Sequence, residues 1–289
     1  MSTPPVLRPQ FAADLDAPGL PFIGASGVGL ADVYVPPHLT LRASSQHPPD
    51  ALAAAVEAPH LLVAGARRIG RTALARRLVA TLHDAGVPAL LATGHDFRDH
   101  DPDAIEAEAQ RLTVEQCAEG RVRPSVLVVD DLDLARAVGR DGVKGLGRRA
   151  FLRAVERRFD RVVALTTDHG FSASGPLSPG APTYVHASLA SFDAGQRADL
   201  AAKFADALVP QDEWHTFVGQ ARRLLDALFS DGRLPAFPYY LLVALGELHD
   251  GHPAHISDHG YGHYYEVVVH EAAQAVRALG RTPRRDAVR

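Results

Sequence analysis

Residues 61–72 read Leu-Leu-Val-Ala-Gly-Ala-Arg-Arg-Ile-Gly-Arg-Thr, an apolar run that passes directly into a glycine-containing loop. The run at 61–64 shows no alternation with polar residues, which is typical of a strand buried on both faces of a parallel sheet. The residues from 65 to 72 match the pattern G-x-x-x-x-G-K-[ST], except that Arg71 stands in the lysine position. Helical character follows over 72–84. This order of strand, loop and helix predicts an α/β fold.

The loop from Gly65 to Thr72 has the composition of a phosphate-binding loop. Gly65 and Gly70 allow backbone N–H groups to surround phosphate oxygens without obstruction by a Cβ atom. The helix that begins here directs its positive end at the same oxygens, and Thr72 offers a hydroxyl to magnesium. Because the guanidinium of Arg71 is planar and larger than an ammonium, we expect nucleotide to bind and hydrolysis to be slow or absent. The alternative is a strand-to-helix turn that binds no ligand.

Carboxylates follow a second apolar strand at 126–129. Asp130 falls at the predicted carboxyl edge of the sheet, where it can hold a magnesium ion. Asp131 is the candidate to orient or activate an attacking water, and Asp133 is a second candidate for this catalytic role. After the next strand, the polar residues 166–168 can sense an outer phosphate. The alternatives are a helix-capping aspartate after the first of these strands and a simple turn after the second.

The rest of the pattern predicts a doubly wound parallel sheet followed by an all-helical region. The predicted strands are 61–64, 89–92, 126–129, 162–165 and 184–186, with a further short strand at 32–37. The predicted helices are 51–57, 72–84, 102–119 and 147–158, and then 193–208, 211–230, 238–249 and 261–279. We therefore expect an N-terminal extension (1–50), a P-loop nucleotide-binding domain (51–188), a smaller helical lid domain (189–280) and a basic tail (281–289).

The segments 65–72, 127–131 and 164–167, with the helical unit after them, resemble the STAND class of P-loop NTPases. That class includes the NACHT and NB-ARC signalling ATPases. The stretch 31–37 is similar to the sequence that leads into many bacterial NACHT-like modules. The stretch 234–241 is similar to the proline-containing helix start in the family's helical domain.

The resemblance implies a switch in which ATP or ADP, with Mg²⁺, fixes the arrangement of the sheet domain and its helical lid. It implies that Thr72 and Asp130 are magnesium ligands and that Asp131 is the catalytic acid or base. The sequence departs from the family pattern at Arg71 and at Asp168, which stands where related proteins often have an arginine; both departures affect turnover more than binding. The candidate nucleotide contacts are Gly65, Arg68, Gly70, Arg71, Thr72, Ala73, Thr167 and Pro238, with Pro238, or else Pro235, near the adenine.

Charge and composition narrow the range of partners. The formal net charge is −4 and basic and acidic residues are interspersed, so we expect no nucleic-acid partner. The single cysteine, Cys117, and the lack of a membrane-length apolar run or a signal peptide favour a cytoplasmic protein. We expect a protein partner, or further effector and sensor domains, and leave homo-oligomerisation open. The histidines between His249 and His270 are interpreted as solvated or capping residues rather than a metal site.

Three functions fit this sequence. The first is a nucleotide-binding switch of a signalling or defence ATPase. The second is a turnover enzyme, such as a P-loop kinase or motor ATPase. The third is a degenerate P-loop scaffold that binds nucleotide weakly or not at all, for which Arg71 and Asp168 are the main support. Nucleotide affinity separates the third function from the others, and steady-state phosphate release separates the second from the first.

Overall fold

The computed structural model describes residues 6–20, 23, 27–41, 60–97, 101–118, 123–134, 144–167, 184–230 and 234–250. The chain forms two compact units, residues 1–242 and residues 243–289. Of the second unit, the described residues are 243–250, which contain the end of a helix. Several features predicted above lie outside the described residues, namely the helices at 51–57 and 261–279, Asp168, the histidines from His252 to His270 and the tail 281–289.

The described helices and strands agree within a few residues with most of those predicted from the sequence. In chain order they are helix α1 (Pro9–Asp16), helix α2 (Leu30–Val33), strand β1 (Leu39–Leu41), strand β2 (His60–Ala64), helix α3 (Arg71–Asp84), strand β3 (Ala89–Thr93), helix α4 (Pro102–Gln116), strand β4 (Val126–Asp130), a 3-10 turn (Leu132–Leu134), helix α5 (Lys144–Glu156), strand β5 (Arg161–Thr166), strand β6 (Val185–Leu189), helix α6 (Ala194–Leu208), helix α7 (Trp214–Phe229) and helix α8 (Pro238–His249). Among these helices, none combines the length and apolar character that a membrane crossing requires.

The strands form one six-stranded sheet in the order β1-β6-β2-β5-β4-β3. Strand β1 runs antiparallel to β6, and all other neighbouring strands are parallel. The predicted fold class, a parallel α/β core followed by helices, is confirmed. Strand β5 lies between β2 and β4, two strands that are far apart in sequence.

The prediction of a strand over 32–37 is wrong. The chain instead forms the short helix α2 and then an extended segment that leads into β1. The Asp32 carboxylate accepts a hydrogen bond from the Gly29 amide at 2.8 Å, so a side chain satisfies a backbone donor at the helix start. The Asp16 carboxylate also accepts a hydrogen bond from the Ala31 amide at 2.9 Å, and the helix ends at Val33. Pro36 and Pro37 then keep the chain extended.

Each face of the sheet carries its own apolar core, because successive strand residues point to opposite faces. On one face, helices α4 and α5 cover strand residues such as Leu62, Leu127 and Val162. On the other face, helix α3 covers the alternate residues, including Val63 and Val128, and the buried Leu15 of α1 packs into the same core. The continuous apolar runs in the sequence thus correspond to strands buried on both sides.

Side chains close the free edge of the sheet along β3. Gln116, the last residue of α4, acts as a strand substitute: its Oε1 accepts from the Leu91 amide at 2.9 Å and its Nε2 donates to the Leu91 carbonyl at 2.5 Å. His83 Nε2 lies 2.8 Å from the Ala89 carbonyl, and the Asp96 carboxylate accepts from the Thr93 amide at 2.6 Å. The polar groups that would otherwise attract another strand are therefore satisfied within the chain.

Gln116→Ala should lower the free energy of unfolding by about 2 kcal/mol, because it leaves one amide and one carbonyl of the sheet edge without a partner. Urea denaturation measures this change. The matched control is Gln110→Ala on the same helix, since exposed Gln110 bonds only to Glu106 one turn away, at 3.2 Å, among the described residues. The control should change stability by less than about 0.5 kcal/mol. Equal effects of the two substitutions would contradict the role of Gln116 at the edge.

Candidate functional site

The strand order brings the predicted motifs to one edge of the sheet. The carboxyl ends of the parallel strands β2, β4 and β5 lie at this edge, and in open α/β sheets ligands bind there. Ala64 is in register with Thr166, and the Gly65 amide donates to the Thr166 carbonyl at 3.0 Å. The loop after β2 therefore begins beside the end of β5, one strand away from Asp130.

The loop backbone forms a cradle that fits a phosphate group. Gly70 has φ of 98°, a left-handed conformation that L-residues rarely adopt, and helix α3 begins at the next residue. The amides of Arg71, Thr72 and Ala73 belong to the first helical turn, where no carbonyl of the helix can accept from them. None of the three donates a hydrogen bond to another residue in the described ranges. Free amides at a helix N-terminus bind anions well.

Thr72 and Asp130 form the pair that the sequence predicted as magnesium ligands. The Thr72 hydroxyl donates to Asp130 Oδ2 at 2.6 Å, and the Asp131 amide donates to Asp130 Oδ1 at 2.9 Å. Burial raises the pKa of the Asp130 carboxyl above its ordinary value, and the nearby Asp131 charge acts in the same direction, while the hydrogen bond from Thr72 opposes both. A cation beside this buried carboxylate would therefore be stabilising.

The oxygen donors of this pair suit a hard cation such as Mg²⁺. Among the residues that the structure describes, no group of three or more His, Cys, Asp or Glu side chains could hold a metal by itself. A magnesium ion at Thr72 and Asp130 would therefore take its other ligands from phosphate oxygens and water, as is usual where Mg²⁺ accompanies a nucleotide.

Arg71, in the lysine position of the loop, is bound by the carboxylates that follow β4. Its Nη2 donates to Asp131 Oδ1 at 2.9 Å, and its Nη1 lies 3.8 Å from Asp133 Oδ2. The arginine side chain is only 9% exposed, whereas that of Asp131 is 40% exposed. The arginine thus connects the phosphate loop to the candidate catalytic residue.

Asp133, in the turn after β4, accepts hydrogen bonds from residues at the end of β5. Its Oδ1 accepts from the Thr166 hydroxyl and its Oδ2 accepts from the Thr167 amide, both at 2.5 Å. With both oxygens occupied, Asp133 holds the polar end of β5 in place beside the loop. Asp131 is the more accessible of the two carboxylates.

A cavity of about 620 Å³ lies over this edge, a volume within the usual range for small-molecule sites. Apart from Gly65 and Asp130, all predicted site residues line it, namely Arg68, Gly70, Arg71, Thr72, Ala73, Asp131, Asp133, Thr167 and Pro238. Asp130 is 6% exposed and reaches the cavity through Thr72. The structure therefore brings together the residues that the sequence selected from four separate segments.

The cavity also has an apolar wall, formed by residues that the sequence did not identify as part of a site. This wall consists mainly of the buried side chains Leu20, Leu30, Val33, Val35, Phe192 and Leu200. Two contacts with helix α6 hold the extended segment in this wall: Gln196 Nε2 donates to the Pro36 carbonyl at 2.7 Å and Lys203 Nζ donates to the Tyr34 carbonyl at 2.8 Å. The cavity is thus lined both by charged side chains, arginines as well as aspartates, and by apolar ones.

The start of helix α8 lies against the phosphate loop. The Arg68 guanidinium stands 4.7 Å from the ring centroid of Tyr239 and 5.8 Å from that of Tyr240, which are cation–π distances. A Cβ atom on Gly70 would lie 3.6 Å from Pro238 Cγ. Arg68 has a φ of 70°, which is unusual for a residue with a side chain. Pro238 therefore packs beside the second glycine of the loop.

No protein-family model and no curated protein matches the sequence. The structure is similar to a Walker-type ATPase of Pyrococcus abyssi, with a TM-score of 0.46, 16% identity, and coverage of 80% of this chain and 73% of that chain. It is similar to the Aeropyrum pernix ORC1 protein in complex with DNA, with a TM-score of 0.45, 16% identity, and coverage of 98% and 74%. It is also similar to domain III of the replication initiation protein DnaA from Thermotoga maritima, with a TM-score of 0.35, 14% identity, and coverage of 82% and 97%.

At these TM-scores the likenesses carry no functional argument. The strand order, the left-handed Gly70 and the position of the Thr72–Asp130 pair define the class independently. The chain has the parallel-sheet core of the P-loop NTPase fold.

Asp130→Asn should raise the free energy of unfolding of the magnesium-free protein by about 1 kcal/mol, because it removes a buried charge. The amide can accept from the Asp131 N–H and donate to the Thr72 hydroxyl, so both hydrogen bonds have replacements. Urea unfolding without magnesium measures the effect. Asp84→Asn, an exposed position at the far end of α3, is the control and should change stability by less than about 0.5 kcal/mol. A loss of stability in Asp130→Asn alone would show that the carboxylate is stabilising without a metal.

Proposed function

We propose that this chain is the nucleotide-binding switch module of a STAND or NACHT-like signalling or defence ATPase. It binds ATP or ADP with Mg²⁺ in the cavity at the carboxyl edge of the sheet, and it hydrolyses ATP slowly or not at all. The observation that carries this proposal is the convergence, in one cavity, of the phosphate cradle, the Thr72–Asp130 pair and an apolar wall.

The size and the lining of the cavity support a nucleotide as the ligand. The loop amides and the loop arginines favour an anionic group. The apolar wall suits a planar base, which gains from burial against aliphatic and aromatic side chains. Thr72 and Asp130 would hold the magnesium ion, which neutralises phosphate charge when bound.

The position of Arg71 supports slow turnover. A P-loop lysine brings a compact charge to the outer phosphates, whereas Arg71 is planar and bonded to Asp131 at 2.9 Å. In this arrangement the Asp131 carboxylate, which would orient an attacking water, is bonded to a cation. This arrangement is that of the free protein; when the pair opens, the planar guanidinium still does not supply the compact charge of a lysine.

A switch also needs a second element whose position depends on the ligand. We propose that the helical region 189–280 is this element and that the nucleotide-binding domain spans 51–188. The contact between Arg68 and Tyr239 supports the proposal, because it joins the phosphate loop to helix α8. A protein partner, or further effector and sensor domains, would receive the output in the cytoplasm, and homo-oligomerisation is one form that the output could take.

Titration calorimetry with ADP and with ATP, each at about 1 mM and with Mg²⁺, tests the proposal. We expect both nucleotides to bind. Thr72→Val should reduce the gain in affinity that magnesium provides by about tenfold, because it removes a hydroxyl ligand. Thr81→Val, the same change further along helix α3, is the matched control and should bind like the wild type.

The other outcomes identify the other functions. If the folded wild-type protein binds neither nucleotide, the chain is a scaffold with a degenerate loop, and the switch proposal fails. If nucleotide binds and steady-state phosphate release reaches the rates of about 1 s⁻¹ or more that are ordinary for enzymes, the chain is a turnover ATPase or kinase. Binding with phosphate release far below that rate supports the switch.

A further inference from the structure

The Arg71 side chain, which occupies the lysine position of the phosphate loop, is bonded to a carboxylate of the protein itself. Its Nη2 donates to Asp131 at 2.9 Å, and its buried Nη1 makes no hydrogen bond to any residue in the described ranges. The nearest carboxylate oxygen to Nη1 is Asp133 Oδ2 at 3.8 Å, and Asp133 already accepts hydrogen bonds from Thr166 and Thr167. Of the two terminal nitrogens, Nη2 is therefore bonded to Asp131, and Nη1 is a buried donor without a hydrogen bond among the described residues.

An unsatisfied donor beside a phosphate cradle is unfavourable in the free protein, since a buried polar group without a partner costs free energy. A phosphate oxygen would satisfy it once the side chain, released from Asp131, turned toward the cavity. Phosphate and carboxylate present similar oxygen pairs to a guanidinium fork, so the two groups can compete for the same side chain. Arg71 and Asp131 both line the cavity, so a phosphate group bound there would compete with Asp131 for the Arg71 side chain.

The geometry points to an exchange of partners at Arg71. In the free protein Arg71 is bonded to Asp131, and in the nucleotide complex it is bonded to phosphate, so that binding of the ligand releases the Asp131 carboxylate. Asp131 is then a positioning residue that sets nucleotide affinity by competition. This inference rests on the proposed nucleotide site and adds to it how the site is regulated.

The exchange of partners and a purely structural role of Asp131 predict opposite changes in nucleotide affinity when the Asp131 charge is removed. Part of the binding free energy is used to break the Arg71–Asp131 pair, so the observed affinity is lower than that of a site with a free arginine. Removal of the Asp131 charge should therefore tighten binding. If Asp131 instead held the loop in its binding conformation, the same change would weaken binding.

Asp131→Asn is the suitable variant. Asp131 has φ of 49°, a left-handed conformation that asparagine tolerates well, and its side chain is 40% exposed, so the change creates no cavity. The amide oxygen can still accept from Arg71 but no longer carries a charge. We expect Asp131→Asn to tighten binding of both ADP and inorganic pyrophosphate by about fivefold, as for the loss of an ion pair of moderate strength.

The same change must be made in a second background, because any lost negative charge strengthens anion binding nearby. In Arg71→Gln protein, position 71 has no charge to release, so Asp131→Asn should change the affinity for ADP by less than about twofold. Calorimetry on the wild type, the two single variants and the double variant completes this cycle. Circular dichroism confirms that each variant is folded.

The four affinities for ADP show whether Arg71 exchanges Asp131 for phosphate. A fivefold gain in the wild-type background that disappears in the Arg71→Gln background supports the exchange. An equal gain in both backgrounds shows a general charge effect and overturns it, as does unchanged or weaker binding by Asp131→Asn. If neither the wild type nor Asp131→Asn binds ADP, the proposed function itself fails, and the exchange fails with it.

Discussion

The register between strands β2 and β5 is the constraint on which the site depends. It places Ala64 opposite Thr166, and the hydrogen bond from the Gly65 amide to the Thr166 carbonyl continues the ladder into the loop. Because β5 also pairs with β4, the same register brings Asp130 to within one hydrogen bond of Thr72. A slip of one residue would turn every side chain to the other face and separate these groups.

The carboxylates after β4 create an electrostatic problem that the chain solves locally. Asp130 is buried, and Asp131 and Asp133 lie beside it. Thr72 donates to the first, Arg71 to the second, and the end of β5 to the third, so each carboxylate has a donor in the ligand-free protein. These internal bonds stabilise the free site, and the proposed metal ion and phosphate group would have to compete with them. The proposed switch would benefit from such a balance, because two states of similar free energy respond to small changes in ligand.

The α/β core could be predicted from the sequence because its signals are local. Continuous apolar runs gave β2 to β5, and the glycine loop after β2 together with the carboxylates after β4 gave the polar half of the site. A short helix, Leu30–Val33, overlaps the predicted strand at 32–37, and amides at its start donate to the carboxylates of Asp32 and Asp16, contacts that propensity does not include. Strand β1 was not predicted because it has only three residues. Helix α1 was not predicted because the N-terminal extension shows little hydrophobic periodicity.

The remaining site contacts could not be predicted because they join residues distant in sequence. The Arg71–Asp131 pair spans 60 positions and depends on the rotamers of both side chains. The apolar wall combines the N-terminal segment with helix α6, which bond to each other across 160 positions at Gln196 and Pro36. Only the folded chain shows that the N-terminal extension belongs to the cavity. The sequence thus predicts which loop residues belong to the site, but it does not predict which distant residues contact them.

Hydrogen–deuterium exchange with and without Mg²⁺ and ADP tests most directly the claim that this whole cavity is the nucleotide site. We expect slower exchange in three segments that are remote in sequence but line the same cavity: the loop and helix start at 65–76, the N-terminal wall at 28–37, and the start of α8 at 238–242. Protection confined to the loop would leave an isolated phosphate-binding turn. Unchanged exchange in all three segments, at nucleotide concentrations of about 1 mM, would show that the cavity is not a nucleotide site.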